Sequence, residues 1–334
     1  MSTAVETGRV LDTEQATDVK SGDAYESLIG RLSQQSVVKH FDAYADVPWD
    51  DPEYRIDPTD PRWELSDDDP LGATDWYKAQ PQEVRARIGL QGIVSAMKTG
   101  LQFESVLKRG LLEYAAKLPN GASEFRYAYH EVIEEAHHSL MFQEFVNRSG
   151  FDAAGLRWFE RIVTRRIAAL GRRFPALFFI FVLGGEDPID YVQRQELRSG
   201  KEIHPLLERI MRIHVTEEAR HLSFARHYLK RHVPELSFFK KRMLGVRVPF
   251  ILGSMAGMML RPSKATIRKY RIPKSVIKEA FDENPEARQF VRDSIRKVRN
   301  LCVELGIITP ISKQLWKAFG IWDEPGAPAG LSEA

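Results

Sequence analysis

Glu135 and His138 stand three residues apart in "YHEVIEEAHHSLMF" (residues 129–142). Glu218 and His221 repeat the spacing in "MRIHVTEEARHLSFARHYL" (residues 211–229). On a helix, this spacing puts a carboxylate and an imidazole on one face, as a metal-binding pair requires. The first stretch also holds an overlapping pair, Glu134 and His137. The stripe Ala128, Glu131, Glu135, His138, Phe142, Phe145 is apolar except around the candidates, whereas Tyr127, His130, Glu134, His137, Met141, Glu144, Arg148 is mostly polar. Glu135 and His138 are therefore expected to be buried, with Glu134 and His137 as solvated neighbours. In a chain with nine histidines, one such pair can equally be a buried Glu–His hydrogen bond. The second pair adds weight. It lies on the stripe Leu207, Met211, His214, Glu218, His221, Ala225, Tyr228, which brings a third imidazole one turn before Glu218.

Two isolated acids extend the pattern. Glu104 is the single charge on Ile93, Met97, Gly100, Glu104, Leu107, Leu111, Tyr114, and Glu186 ends the apolar run "ALFFIFVL" plus two glycines. A lone ionised glutamate in such a setting is costly unless paired or coordinated. The bland alternatives are that Glu104 reaches water and that Glu186 is a surface acid. The chain order is Glu, Glu-x-x-His, Glu, Glu-x-x-His on four successive long helical patterns. Four carboxylates match the charge of two divalent irons, and each imidazole adds a neutral donor. This is the ligand pattern of ferritin-like di-iron and di-manganese bundles.

On Glu104, "EEAHHSLM", Glu186 and "HVTEEARH", the chain resembles the p-aminobenzoate N-oxygenase family of ferritin-like di-iron enzymes. The resemblance covers roughly Glu104 to His221, with a compatible C-terminal helix "FVRDSIRKVRNLCVELG". It implies a ligand set of Glu104, Glu135, His138, Glu186, His214, Glu218 and His221, with His214 as the family's additional histidine. It implies two iron ions, with manganese in one or both sites as the alternative. It further implies activation of dioxygen through a peroxo bridge and oxidation of a small organic amine, arylamine-like, with electrons from a ferredoxin or flavin reductase. A homodimer is expected. Hydroxylation or desaturation of an alkyl or acyl chain is the competing enzymatic reading, and a non-catalytic metal-binding or ferroxidase protein is the competing class.

These residues need long helices to position them. Helical patterns run near 82–117, 123–148, 153–170, 174–197, 203–231, 246–260, 273–281 and 285–305, with no convincing strand. The expected fold is all-α: a ferritin-like four-helix bundle over residues 82–310 with flanking helices. Residues 1–81 are expected to form a flexible lead-in and an irregular Asp-, Pro- and Trp-rich arm packed on the core, and 311–334 a C-terminal tail. Pro188, four residues after Gly184, predicts a kink or bulge beside Glu186. Asp187, Asp190, Glu131 and Glu217 are candidates to hold the imidazoles from behind. Both "ALFFIFVL" and Phe142/Phe145 suit core better than cavity wall.

The bulk properties set limits. Among 334 residues the formal charge is +2, so no global field points to nucleic acid. One cysteine, Cys302, excludes an internal disulfide and a thiolate zinc cluster, and suits a cytoplasmic setting. The N-terminus lacks a signal-peptide core. The run "VPFILGSMAGMML" is too short to span a bilayer; a helix covering the core is favoured for it over a membrane-surface contact.

Overall fold

The computed structural model describes residues 24–153, 155 and 158–324. Among these there is no strand. In chain order the helices are α1 (residues 24–38), α2 (Asp75–Lys78), α3 (Gln82–Ala115), α4 (Ser123–Ser149), α5 (Trp158–Ala168), α6 (Leu170–Arg173), α7 (Pro175–Arg198), α8 (Pro205–His232), α9 (Phe238–Met259), α10 (Lys264–Lys269), α11 (Lys274–Ile277), α12 (Pro285–Ser294), α13 (Arg296–Glu304) and α14 (Pro310–Ala318). The expected all-α, ferritin-like bundle is observed. Two hairpins, α3/α4 and α7/α8, pack together, and a long connection through α5 and α6 joins them.

Local chemistry sets the helix ends. Gly150, at φ +66°, closes α4 in the left-handed region that favours glycine. At the start of α8, Leu206 N–H donates to the His204 ring. Helix α7 runs unbroken from Pro175 to Arg198 across Pro188, without the bulge expected there. Its two glycines serve close packing: a Cβ on Gly185 would stand 2.0 Å from the Phe103 ring, and one on Gly184 2.7 Å from Leu252.

Several expectations needed correction at the edges. The C-terminal pattern divides at Ile295 (φ −105°, ψ 8°) into α12 and α13, and the pattern at 273–281 becomes α11 followed by a π-turn segment, Lys278–Glu283. Helix α9 starts at Phe238, eight residues before the expected 246. Residues 311–318, assigned to the tail, belong to α14 (Pro310–Ala318) and bury Trp316 completely. Part of the lead-in, residues 24–38, is α1, which puts Ile29 and Leu32 into the core. The lead-in up to residue 23, the tail from 325 and part of the expected 153–170 helix (154, 156 and 157) lie outside the described residues.

Two apolar blocks fill the bundle. One joins Leu107, Leu111 and Tyr114 to Phe178, Phe179, Phe224 and Tyr228, with α9, α13 and α14 packed on it. The other joins Leu90, Val94 and Met97 to Met141, Phe142, Phe145, Ile210 and Met211, and the arm plugs it with Val47, Trp49 and Trp63. The level between them carries the carboxylates and imidazoles. "ALFFIFVL" is core throughout.

Candidate metal centre

Glu104 on α3, Glu135 and His138 on α4, Glu186 on α7, and His214, Glu218 and His221 on α8 all lie at this middle level, each no more than 2% exposed. The four helices bring them together. Overlapping groups, among them Glu104/His138/His214, Glu135/His138/Glu218, Glu186/His214/Glu218 and Glu104/Glu135/Glu186, each present donor atoms within 4.8 Å of one another. His138 Nδ1 lies 3.2 Å from Glu135 and 3.6 Å from Glu218. His221 Nδ1 lies 3.1 Å from Glu218 and 3.0 Å from Glu135. His214 Nε2 lies 3.8 Å from both Glu104 and Glu218.

The far nitrogens of these rings are held by groups across the bundle. His138 Nε2 is 2.9 Å from Glu217, and His221 Nε2 is 2.7 Å from Glu134. A carboxylate accepts there, so Nε2 carries a proton and Nδ1 is the nitrogen turned toward the centre, where without a cation it too lies against carboxylates. Gln193 holds His214 Nδ1 at 2.9 Å. Arg220 donates to Glu134 at 2.8 Å, and the backbone N–H of Phe41 in the arm donates to Glu217 at 3.0 Å.

Glu134 therefore overturns an expectation: it is buried, not solvated, because the flank of α4 on which it sits faces α8 rather than water. His137 is only partly exposed and accepts from the backbone N–H of Ala43. Of the four groups considered for holding imidazoles, Glu217 does so. Asp187 pairs with Arg226 and Asp190 with Arg194 instead. Glu131 is fully buried, both oxygens lack a hydrogen-bond partner, and it forms a donor group with Glu135 and His221. Gln193 was missed, and so was the part played by Glu134. Contacts between helices leave no periodic mark on either one.

The charges are crowded. Burial, then Glu135 and Glu186, push Glu104 well above the ordinary carboxylate range; burial and Glu218 do the same to Glu186. Burial opposes charge on His138, yet its bonds to Glu135 and Glu217 hold it at about 10. Burial, reinforced by the His138 charge, drives His214 well below the ordinary imidazole value.

One side of the centre is open. A cavity of about 1600 Å³ is lined by Glu104, Glu186 and His214, with Phe103, Phe142 and Met97 beside them. Along α3 its wall is small: Gly92, Ser95, Ala96, Thr99 and Gly100. It continues along α3 as far as Ile88, roughly 24 Å from Glu104 at the α-helical rise. Phe142 is thus a wall residue, whereas Phe145 packs against Trp63.

A family model described as P-aminobenzoate N-oxygenase AurF matches residues 22–306. Uncharacterized proteins of Mycobacterium bovis and Mycobacterium tuberculosis are 40% identical over 308 residues, covering 92% of this chain and 91% of theirs. No solved structure matches significantly.

Proposed function

Because the chain belongs to the P-aminobenzoate N-oxygenase AurF family, we propose that Glu104, Glu135, His138, Glu186, His214, Glu218 and His221 hold two iron ions in an oxygenase that N-oxidises an amine. The carrying observation is that three of the seven, Glu104, Glu186 and His214, also line the cavity, so a substrate in it would meet the centre directly. The donors suit the ions. Oxygens of Glu104, Glu135, Glu186 and Glu218 are buried without a hydrogen-bond partner, an arrangement that a cation satisfies and an apolar core does not. Hard carboxylates with imidazoles suit iron, and manganese by the same chemistry.

Bound iron would supply the redox chemistry by which dioxygen is activated. The chain's own groups do the rest. Glu134, Glu217 and Gln193 fix the three imidazole planes by accepting the proton of the outer nitrogen, so that the inner nitrogen is the one a metal would take. Phe103, Phe142 and Met97 keep bulk water from the reacting end of the cavity. The overall conversion is R–NH2 + O2 + 2 e⁻ + 2 H⁺ → R–NHOH + H2O, with the electrons from a ferredoxin or flavin reductase. The cavity exceeds the range of roughly 300–1,000 Å³ usual for drug-sized ligands, which favours an amine larger than one ring. Its length and apolar inner wall also favour a second reading, oxidation of an alkyl or acyl chain.

The test is anaerobic iron loading followed by ¹⁸O2, with a panel of mono- and polycyclic arylamines and fatty acyl compounds. Label in a hydroxylamine or nitro product is the expected result. Label only in hydroxylated acyl chains would replace the amine reading with the second one, and a chain that retains no iron would remove both.

A further inference from the structure

We propose that the outer face of α9 and α14 docks on an anionic lipid surface. Helix α9 buries Leu244, Val248, Leu252 and Ala256 against the bundle, as a helix covering the core should. Its other face stays apolar. Phe239 is 83% exposed, Phe238 65%, and Val246 and Phe250 are also exposed. Helix α14 runs alongside in the same direction: Gly245 approaches Ile307 and Ser312, and Gly253 approaches Phe319. It adds Ile311, 73% exposed, and Phe319, whose ring lies 5.2 Å from that of Phe250. Phe238, Lys241 and Arg242 share a small surface cleft with Thr309 and Pro310, so the two sets are contiguous. Large exposed apolar patches mark interaction sites.

Charge decides the occupant. Phe238–Met259 carries four cations, Lys240, Lys241, Arg242 and Arg247, and no acid; Pro310–Ala318 carries Lys313 and Lys317 and no acid. Lys313 pairs with Glu324. Lys317 also lies near Glu324, and the other four have no acidic partner among the described residues. Two copies of this chain meeting symmetrically through this face would set like charges against each other. An anionic bilayer satisfies both features, with aromatic rings entering the headgroup boundary and lysine and arginine reaching the phosphates. No helix among the described residues is long and apolar enough to cross a membrane, so the contact is peripheral. Gly253, Gly257 and Phe319 on the same two segments also line the cavity. If the oxygenase reading holds, a lipid-dissolved substrate would enter from this side.

The experiment is co-sedimentation of the full-length, iron-loaded protein with vesicles. One set is phosphatidylcholine alone, and the other is equal parts phosphatidylcholine and phosphatidylglycerol. Binding is expected to the anionic vesicles only, weakening with salt. Phe238→Ala/Phe239→Ala and Lys240→Glu/Arg242→Glu should each lower the partition coefficient about tenfold or more. All four positions are exposed, and circular dichroism checks the fold. Absence of binding at low salt, equal binding to both vesicles, or indifference to both variants would overturn the proposal. So would dissociation of an oligomer by the same variants in sedimentation velocity, which would make this face an interface between copies. Vesicle binding does not depend on turnover, so either reading can fail without the other.

Discussion

The ring of His138 on α4 gives its Nε2–H to Glu217 on α8, 2.9 Å away. The relation is reciprocal, for His221 on α8 gives its own to Glu134 on α4. In each "EE" pair the second glutamate faces the centre and the first reaches across the bundle to the opposite histidine. Outer groups of this kind orient ligands and tune their basicity.

Glu217→Ala should therefore weaken iron retention about 10–100-fold, although Glu217 itself points away from the centre. Competition with a chelator, measured by metal analysis, reads this directly. Glu134→Ala should act the same way through His221, and it also leaves Arg220 with only its longer contact to Glu217, 3.6 Å. Unchanged retention in both would mean that the cross-bracing is only structural.

Gly92→Leu should separate substrate binding from metal binding. Gly92 lines the cavity, and a Cβ there meets nothing within 4 Å. The added side chain enters the cavity and raises KM, while iron content stays the same. Removing a mid-helix glycine should also stabilise the fold by about 0.5–1 kcal/mol in urea denaturation.

Trp63→Ala tests the arm. Trp63 is 1% exposed, stacks on His204 at 4.3 Å and packs edge-on against Phe145. Its loss should cost about 3–5 kcal/mol in equilibrium unfolding. A loss near zero would make the arm a loose cover.

Cys302 should resist alkylation at about pH 8 in the native state and react fully in denaturant, because burial pushes its thiol up to about 12 from an ordinary 9.0. Above an ordinary thiol's pKa the unfolded chain loses this proton and the folded chain keeps it. Stability then falls as pH rises from about 9. Cys302→Ala should reduce that alkaline slope.

Much of the centre was legible because each of its seven residues interrupts an apolar stripe on its own helix, and helical periodicity belongs to a single segment. Glu134 escaped for the same reason. Its stripe looks wet on α4 alone, but in the bundle α8 covers that flank, and Tyr127 and Met141 on it are fully buried as well. Gln193 carries no charge to draw attention. The π-turn segment after Ile277 and the break at Ile295 were not legible, since the flanking pattern continues through both and packing imposes the interruption.

The carboxylate level separates two apolar blocks, so on the proposed reading iron supply would become a matter of protein lifetime. Without cations, the crowded acids of the midsection are met only by the imidazoles, while the greasy ends remain intact. Such a chain should open at its waist first. In a starved cell the quantity of this protein should track the metal, through proteolysis, before any change in its synthesis.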